Sequence, residues 1–287
     1  MRKILAVSSA PRGHWVGDGF PVRSLFSHHS HGADVSPFLL FDYAGPAEFK
    51  PSDKPRGVEQ HPHRGFETVT IVYQGELVHR DSAGNGGAIG PGDVQWMTAA
   101  SGVLHEEMHS DAFTRAGGAF EAVQLWVNLP AAEKMSAPRY QTLLTSGIPI
   151  VELADGAGRV RVIAGEFDGV AGAARTVTPV EIWDVRLRAG KSATLNAPNG
   201  HTLMVIVLAG TALINGEAIV REAQVARFAR DGGDVTIEAN GEVKLLVLGG
   251  APIDEPVAAQ GPFVMNTMAE IREAVADYNT GKFGELN

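Results

Sequence analysis

Residues 59–77 read EQHPHRGFETVTIVYQGEL, and two features of this stretch pull in different directions. From Phe66 onward, the β-branched and aromatic run FETVTIVY, followed by Gln-Gly, has the composition of a buried strand entering a turn. Ahead of it, His61 and His63 stand one residue apart, so in extended chain both imidazoles lie on one face. A strand core rarely contains imidazoles, so this pair asks for a reason of its own.

Similar runs recur along the chain: ELVHR, TLMVIVL, ALI, DVTIEA and VKLLVL, separated by NG, PG and GG turns. With 34 glycines and 16 prolines among 287 residues, the pattern is that of an all-β barrel or sandwich, long enough for two domains. One convincing helix is expected in NTMAEIREAVADY, residues 266–278, where Met268, Ile271, Val275 and Tyr278 fall at helical spacing. Asn266 or Thr267 would cap it, with Glu270 completing a capping box. LPAAEKM, residues 129–135, is a candidate second short helix near the domain junction.

The most apolar stretch, LMVIVLAGTALI from Leu203 to Ile214, is shorter than the roughly 18 to 20 residues that span a bilayer and reads as a buried hairpin broken at Gly210. The amino terminus MRKILAVSSAPRG carries too short an apolar segment for a secretory signal, so a cytoplasmic protein without membrane contact is expected. The chain has no cysteine, which excludes disulfides and thiolate sites; any metal must take N and O ligands. A net charge of -9 without a Lys/Arg cluster argues against direct nucleic-acid binding.

RGFETVTIVYQGEL at 64–77 and NGHTLMVIVLAGTA at 199–212 form a weak internal repeat. Matching Gly75 to Gly210 sets Asn196 opposite His61, Pro198 opposite His63 and Thr202 opposite Glu67, so the second copy lacks the imidazoles. Nine of the ten histidines lie at or before His109. The first half then offers His61, His63 and Glu67, and from SGVLHEEMH it offers His105, Glu106, Glu107 and His109. Strand parity puts His105, Glu107 and His109 on one face and Glu106 on the other. Two adjacent antiparallel strands facing a barrel interior would bring the pairs together as a mononuclear site. Glu67 lies four residues from His63, roughly 13 Å in extended chain, and could join only through a bend at Gly65; Glu107 is the better fourth ligand. His28, His29 and His31 read as a solvated loop, and His79 and His109 as bystanders or as groups behind the ligands.

HPHRGFETVTIVYQGELVHRDSAGN, PGDVQWMTAASGVLHEEMH and QLWVNLPAAEKMSAPRYQ resemble the pirin family of bicupin proteins. SPFLLFDYA, from Ser36 to Ala44, and GPFVMNTMAEI, from Gly261 to Ile271, resemble its two terminal signatures. The resemblance implies two tandem cupin barrels: residues 1–135 forming the metal-binding one, and residues 136–287 a metal-free one with the terminal helix. It implies a metal on His61, His63, His105 and Glu107. The superfamily's usual H-x-H-x3-E would nominate Glu67 instead; this sequence satisfies both, and the spacing argument favours Glu107.

Iron, as Fe(II), is the cofactor the resemblance implies, although three imidazoles and a carboxylate also suit Mn, Co, Ni, Cu or Zn. Four protein ligands in an octahedral field leave about two positions for substrate and dioxygen. Phe38, Phe66, Trp96 and Met97 flank the ligand strings and are candidates to line an apolar pocket for a flat aromatic. Bacterial members of the family resemble quercetin 2,3-dioxygenases, in which a carboxylate, here Glu107, deprotonates a flavonol before dioxygen adds and carbon monoxide leaves. Other members are metal-containing regulators that bind a transcription factor or a metabolic enzyme.

Overall fold

The computed structural model describes residues 1–286. It contains two compact units, each built from a seven-stranded and a four-stranded antiparallel sheet. In the first unit, Phe66–Gln74 lies between Val94–Thr98 and Gly118–Asn128 in the larger sheet, while Gly57–His63, Val103–His109, Leu77–Asp81 and Gly86–Ile89 form the smaller one. In the second, Thr202–Ala209 lies between Gln224–Phe228 and Val243–Gly250, and Ser192–Leu195, Val235–Ala239, Thr211–Ile214 and Ala218–Arg221 make the smaller sheet.

A single cut between residues 135 and 136 does not separate these units. Met1–Pro11, Leu25–Pro37 and Ser146–Pro252 form one; Arg12–Ser24, Phe38–Thr145 and residues 253–286 form the other. Strand pairing is the physical reason: Ile4–Ser9 completes the second sheet system by pairing with Gln224–Phe228, and Arg139–Leu143 pairs back onto Val94–Thr98. The terminal helix, Met268–Asn279, buries Ile271 and Ala274 against Leu104, Phe263, Met265 and Phe283 of the first unit. Thr267 caps it and Glu270 returns a hydrogen bond to the Thr267 N–H at 2.7 Å. Met268 and Tyr278 share the helical spacing but are 48% and 41% exposed.

LPAAEKM forms only a 3-10 turn, Ala131–Glu133. Two short helices were not apparent in the hydrophobic pattern. His28–His31 replaces the expected loop because Ser27 supplies a capping box, and Asp111–Ala116 starts on the Ser110 cap.

The internal repeat has a structural basis at its two glycines. Gly75 and Gly210, with φ of +83° and +84°, each stand where the chain leaves the seven-stranded sheet for the four-stranded one. Leu203 to Ile214 is therefore a corner between sheets, not a hairpin.

The interiors differ. That of the second unit is apolar throughout, with Val160, Trp183, Leu195, Val205, Ile214 and Leu245 in one buried cluster. In the first, one end is apolar, where Phe20, Phe49, Val72, Phe120 and Ala122 meet, and the other mixes polar side chains with Phe66, Met97 and Trp126. Along Gly118–Asn128 the inward residues change from Phe120 and Ala122 to Gln124 and Trp126; along Phe66–Gln74 they change from Val72 to Thr70 and Thr68. The polar end is the one that carries the imidazoles.

Gly65 makes the turn between the histidine strand and Phe66. It has φ of +90°, and a Cβ there would lie 1.9 Å from the Val264 carbonyl oxygen. The buried Lys134 ammonium clasps the same place, donating to Gly65 O at 2.7 Å, Asn128 Oδ1 at 2.6 Å and Val264 O at 3.0 Å. Burial lowers this lysine to about 7, partly opposed by Glu255 and Glu270. Gly65→Ala is expected to destabilise the protein by more than about 2 kcal/mol, read as a fall in melting temperature; an unchanged melting temperature would contradict the turn assignment.

Candidate metal centre

Strands Gly57–His63 and Val103–His109 pair antiparallel with His105 directly opposite His61, and His63 shares the His61 face. The result is three imidazoles whose ligand atoms all lie within 4.8 Å of one another. Ring centroids are 4.2 Å apart for His61 and His105, 4.8 Å for His61 and His63, and 4.9 Å for His63 and His105. Nitrogens sharing one ion at about 2.1 Å are at most about 4.2 Å apart, so only small side-chain shifts separate this cluster from a coordination sphere.

The Nδ1 atom of each ring has a neighbour of its own. His61 Nδ1 lies 2.8 Å from the Glu59 carbonyl, His63 Nδ1 lies 3.4 Å from that of Pro262, and His105 Nδ1 lies 3.3 Å from His79 Nδ1. Nε2 is left as the remaining donor on each ring, and His105 Nε2 is buried without a hydrogen-bond partner. Burial, reinforced by the neighbouring imidazoles, holds His63 and His105 well below the ordinary 6.5. Imidazoles that burial keeps from protonating, one with an orphaned nitrogen, form the kind of donor set a divalent ion takes.

Glu107 is buried in the barrel interior one step further along the same strand face, outside the group of three. Its Oε1 accepts from Thr70 Oγ1 at 2.9 Å and Gln95 Nε2 at 3.2 Å, and its Oε2 accepts from Gln124 Nε2 at 2.9 Å. A register shift between His105 and Glu107 breaks the pairing with Gly57–His63 at that point. Glu67 sits elsewhere. It is opposite Thr98 in the register that also sets Thr70 opposite Gln95, three residues out of phase, so it occupies the other face of the sheet. There it accepts from Thr98 Oγ1 at 2.7 Å, and burial raises its carboxyl. Glu106 points outward to Arg80.

Of the four aromatic and apolar candidates, Phe66 and Met97 lie on the interior face. Phe66 packs on His63 with centroids 5.0 Å apart, and Met97 packs with Val103 and Tyr140. Phe38 and Trp96 do not line the interior. Trp96 alternates with Gln95 on its strand, and Phe38 pairs with Val127, the neighbour of inward-facing Trp126, so both belong to the outer-face core. Trp126 was missed. It is half-buried, 4.3 Å from Phe66 and 5.3 Å from His63 between centroids, and with half-buried His61 it forms the open rim of the cluster. Its inward parity in QLWVN was the available signal.

The segment after Gly261 closes the other side. Arg64 donates to Ser101 O at 2.7 Å and to Asp277 Oδ2 at 2.9 Å, with its guanidinium 4.7 Å over the Phe283 ring. His109 is a core residue: Nε2 bonds Gly19 O at 3.1 Å amid Phe20, Phe49, Phe113 and Phe120. In the second unit, the positions matching the ligand pair do different work. The carbonyls of Ala197 and Pro198 accept from the Arg2 guanidinium at 3.0 and 2.9 Å, and Asn196 bonds Asp234.

Comparison with known proteins bears on this geometry. Residues 19–127 match the Pirin family and residues 182–284 match the Pirin C-terminal cupin domain. The chain belongs to the pirin family. A Pseudomonas aeruginosa pirin relative, provisionally named a quercetin 2,3-dioxygenase, is 59% identical over 99% of both chains. Mouse pirin is 39% identical over 88% of this chain and 84% of its own. A crystal structure of a quercetin 2,3-dioxygenase from Acinetobacter baumannii superposes with a TM-score of 0.97, at 50% identity and full coverage of both chains. The pirin fold here is thus a bicupin with a histidine cluster in one barrel.

Metal analysis of His61→Ala and His105→Ala is expected to show near-complete loss of bound metal, more than the 10 to 100-fold typical of groups behind the ligands. Glu67→Gln should leave metal content intact and Glu107→Gln should lower it; the reverse order would refute the assignment of the carboxylates. Stability carries a second signature. His63 and His105 are neutral when folded but titrate near 6.5 when unfolded, so below that pH the unfolded chain binds more protons. Their contribution is full above about pH 6.5 and is lost progressively below it. Metal-free protein whose melting temperature stays level from about pH 7 to 5 would contradict this.

Proposed function

We propose that this chain is a flavonol 2,3-dioxygenase of the quercetinase type, with one divalent metal, iron in the cell, held by His61, His63, His105 and Glu107. The observation that carries the reading is the three-imidazole cluster, with His105 Nε2 buried and unpartnered, in a chain half identical to a quercetin 2,3-dioxygenase along its whole length. When bound, the ion supplies Lewis acidity and electron exchange to an oxygen-bearing substrate and dioxygen.

The protein's own groups account for the rest. Half-buried Trp126, backed by the buried Phe66 ring 4.3 Å away, offers the aromatic surface beside His63 against which a flat substrate can pack. The Glu107 carboxylate, held from three sides by Thr70, Gln95 and Gln124, would be the base that takes the flavonol hydroxyl proton and, with the three imidazoles, would complete the set that holds the ion. The apolar layer of Phe49, Val72 and Phe120 below it keeps bulk water from entering through the barrel base.

Metal-loaded protein incubated aerobically with quercetin is expected to bleach the flavonol and release carbon monoxide, with Glu107→Gln lowering turnover at least about 100-fold. Metal-replete protein that consumes no flavonol would sink the enzyme reading. It would favour instead a regulator whose metal centre serves a protein partner.

A further inference from the structure

His79 plays no part in the proposed ligand set, yet it is fully buried and touches the cluster from behind. We infer that His79 is a positioning residue that fixes the tautomer in which His105 presents an unprotonated Nε2 to a metal. The inference rests on the metal-binding reading above, and it follows from counting donors and acceptors along one chain of contacts.

At the far end, Asp81 Oδ1 is committed to the backbone N–H groups of Ala83 at 3.0 Å and Asn85 at 2.9 Å, which locks the carboxylate in its turn. Asp81 Oδ2 lies 3.3 Å from His79 Nε2. A carboxylate only accepts, so His79 Nε2 carries the hydrogen. Gln95 gives the same answer independently. Its Nε2 meets Glu107 Oε1 at 3.2 Å and His79 Nδ1 at 3.1 Å, while its Oε1 accepts from the Tyr140 hydroxyl at 3.3 Å. Reversing the amide would set its oxygen against the Glu107 carboxylate. An amide N–H only donates, so His79 Nδ1 is an acceptor.

His105 Nδ1 faces that acceptor at 3.3 Å. Of two nitrogens meeting this way, one holds the hydrogen, and His79 Nδ1 does not. His105 therefore carries Nδ1–H, and its Nε2, buried without a hydrogen-bond partner, is left as the lone pair that can bind an ion. The opposite tautomer of His79 would reverse His105 as well and put a hydrogen where the ion must sit. The Tyr140 ring, stacked on His79 at 4.7 Å and 12°, holds the plane of the relay.

Two variants separate this role from simple core packing. His79→Phe keeps the volume and the stack on Tyr140 but removes the acceptor; His79→Asn restores an amide oxygen near the position of Nδ1 that can accept. With Co(II) alone as the probe, His79→Phe is expected to raise the dissociation constant about 10 to 100-fold, and His79→Asn to recover most of the loss. In metal-free protein labelled with 15N-histidine, His105 should show Nδ1–H in the wild type and in His79→Asn, and a shift toward Nε2–H in His79→Phe. Equal Co(II) affinity in wild type and His79→Phe would overturn the proposal. So would an Nε2–H signal for His105 in the wild type, a measurement that requires no variant to fold. Wild-type protein that binds no Co(II) would refute the metal reading and this proposal together, whereas the wrong tautomer in a protein that does bind Co(II) refutes the proposal alone.

Discussion

The register that places His105 opposite His61 is the constraint on which the centre depends. Antiparallel pairing sets opposed residues about 4.5 to 5.5 Å apart on the same face, and His63 arrives on that face from the same strand. A slip of one residue would turn His105 outward and bring Glu106, now bonded to Arg80 at the surface, into the barrel. Nothing in the three imidazoles themselves forbids the slip. What forbids it is the rest of the strand: His109 must fill the phenylalanine-lined end, and Glu107 must meet Thr70, Gln95 and Gln124. The apolar and polar layers of the interior thus define one register, and the metal ligands inherit it.

The second unit shows the same sheet system without the chemistry. Its interior is continuous hydrocarbon, so a polar band would have no partners and would carry the full desolvation cost of each buried group. The first unit tolerates Thr70, Gln95, Glu107, Gln124 and His79 in its interior because each one satisfies another. The polar band therefore stands or falls as a set, which is why Gln95, far in sequence from the ligand strings His61 to His63, bears on the state of both Glu107 and His79.

Much of this was legible in the sequence because it follows from period-2 alternation. The paired H-x-H and H-x-E strings, the inward parity of His105 and Glu107, and the outward parity of Glu106 need only an extended chain. The match of Gly75 to Gly210 worked because both corners demand a left-handed φ. What escaped was set by contacts between distant parts of the chain. No local pattern tells that Ile4–Ser9 pairs with Gln224–Phe228, or that the terminal helix packs on Leu104. Phe38 and Trp96 adjoin the ligand strings but face away, since nearness in sequence says nothing about strand face. The buried role of Lys134 was hidden too, because a lone lysine in a polar string normally reads as solvated.

The long-range contacts also decide how the centre is held. Each imidazole has its Nδ1 fixed from a different source: His61 by its own strand, His105 by an adjacent strand through His79, and His63 by Pro262, 199 residues away in sequence. The last of these is only as firm as the segment that carries it. Val264 N donates to Arg64 O at 3.0 Å, Lys134 ties Val264 to Gly65, and Asp277 receives Arg64 from the terminal helix. These contacts surround the residue immediately after His63, so the carboxy-terminal segment is part of the scaffold of the centre although it contributes no ligand. A site whose three rings are oriented from three separate parts of the chain cannot be complete in any local fragment, and its geometry reports the folding of the whole first unit.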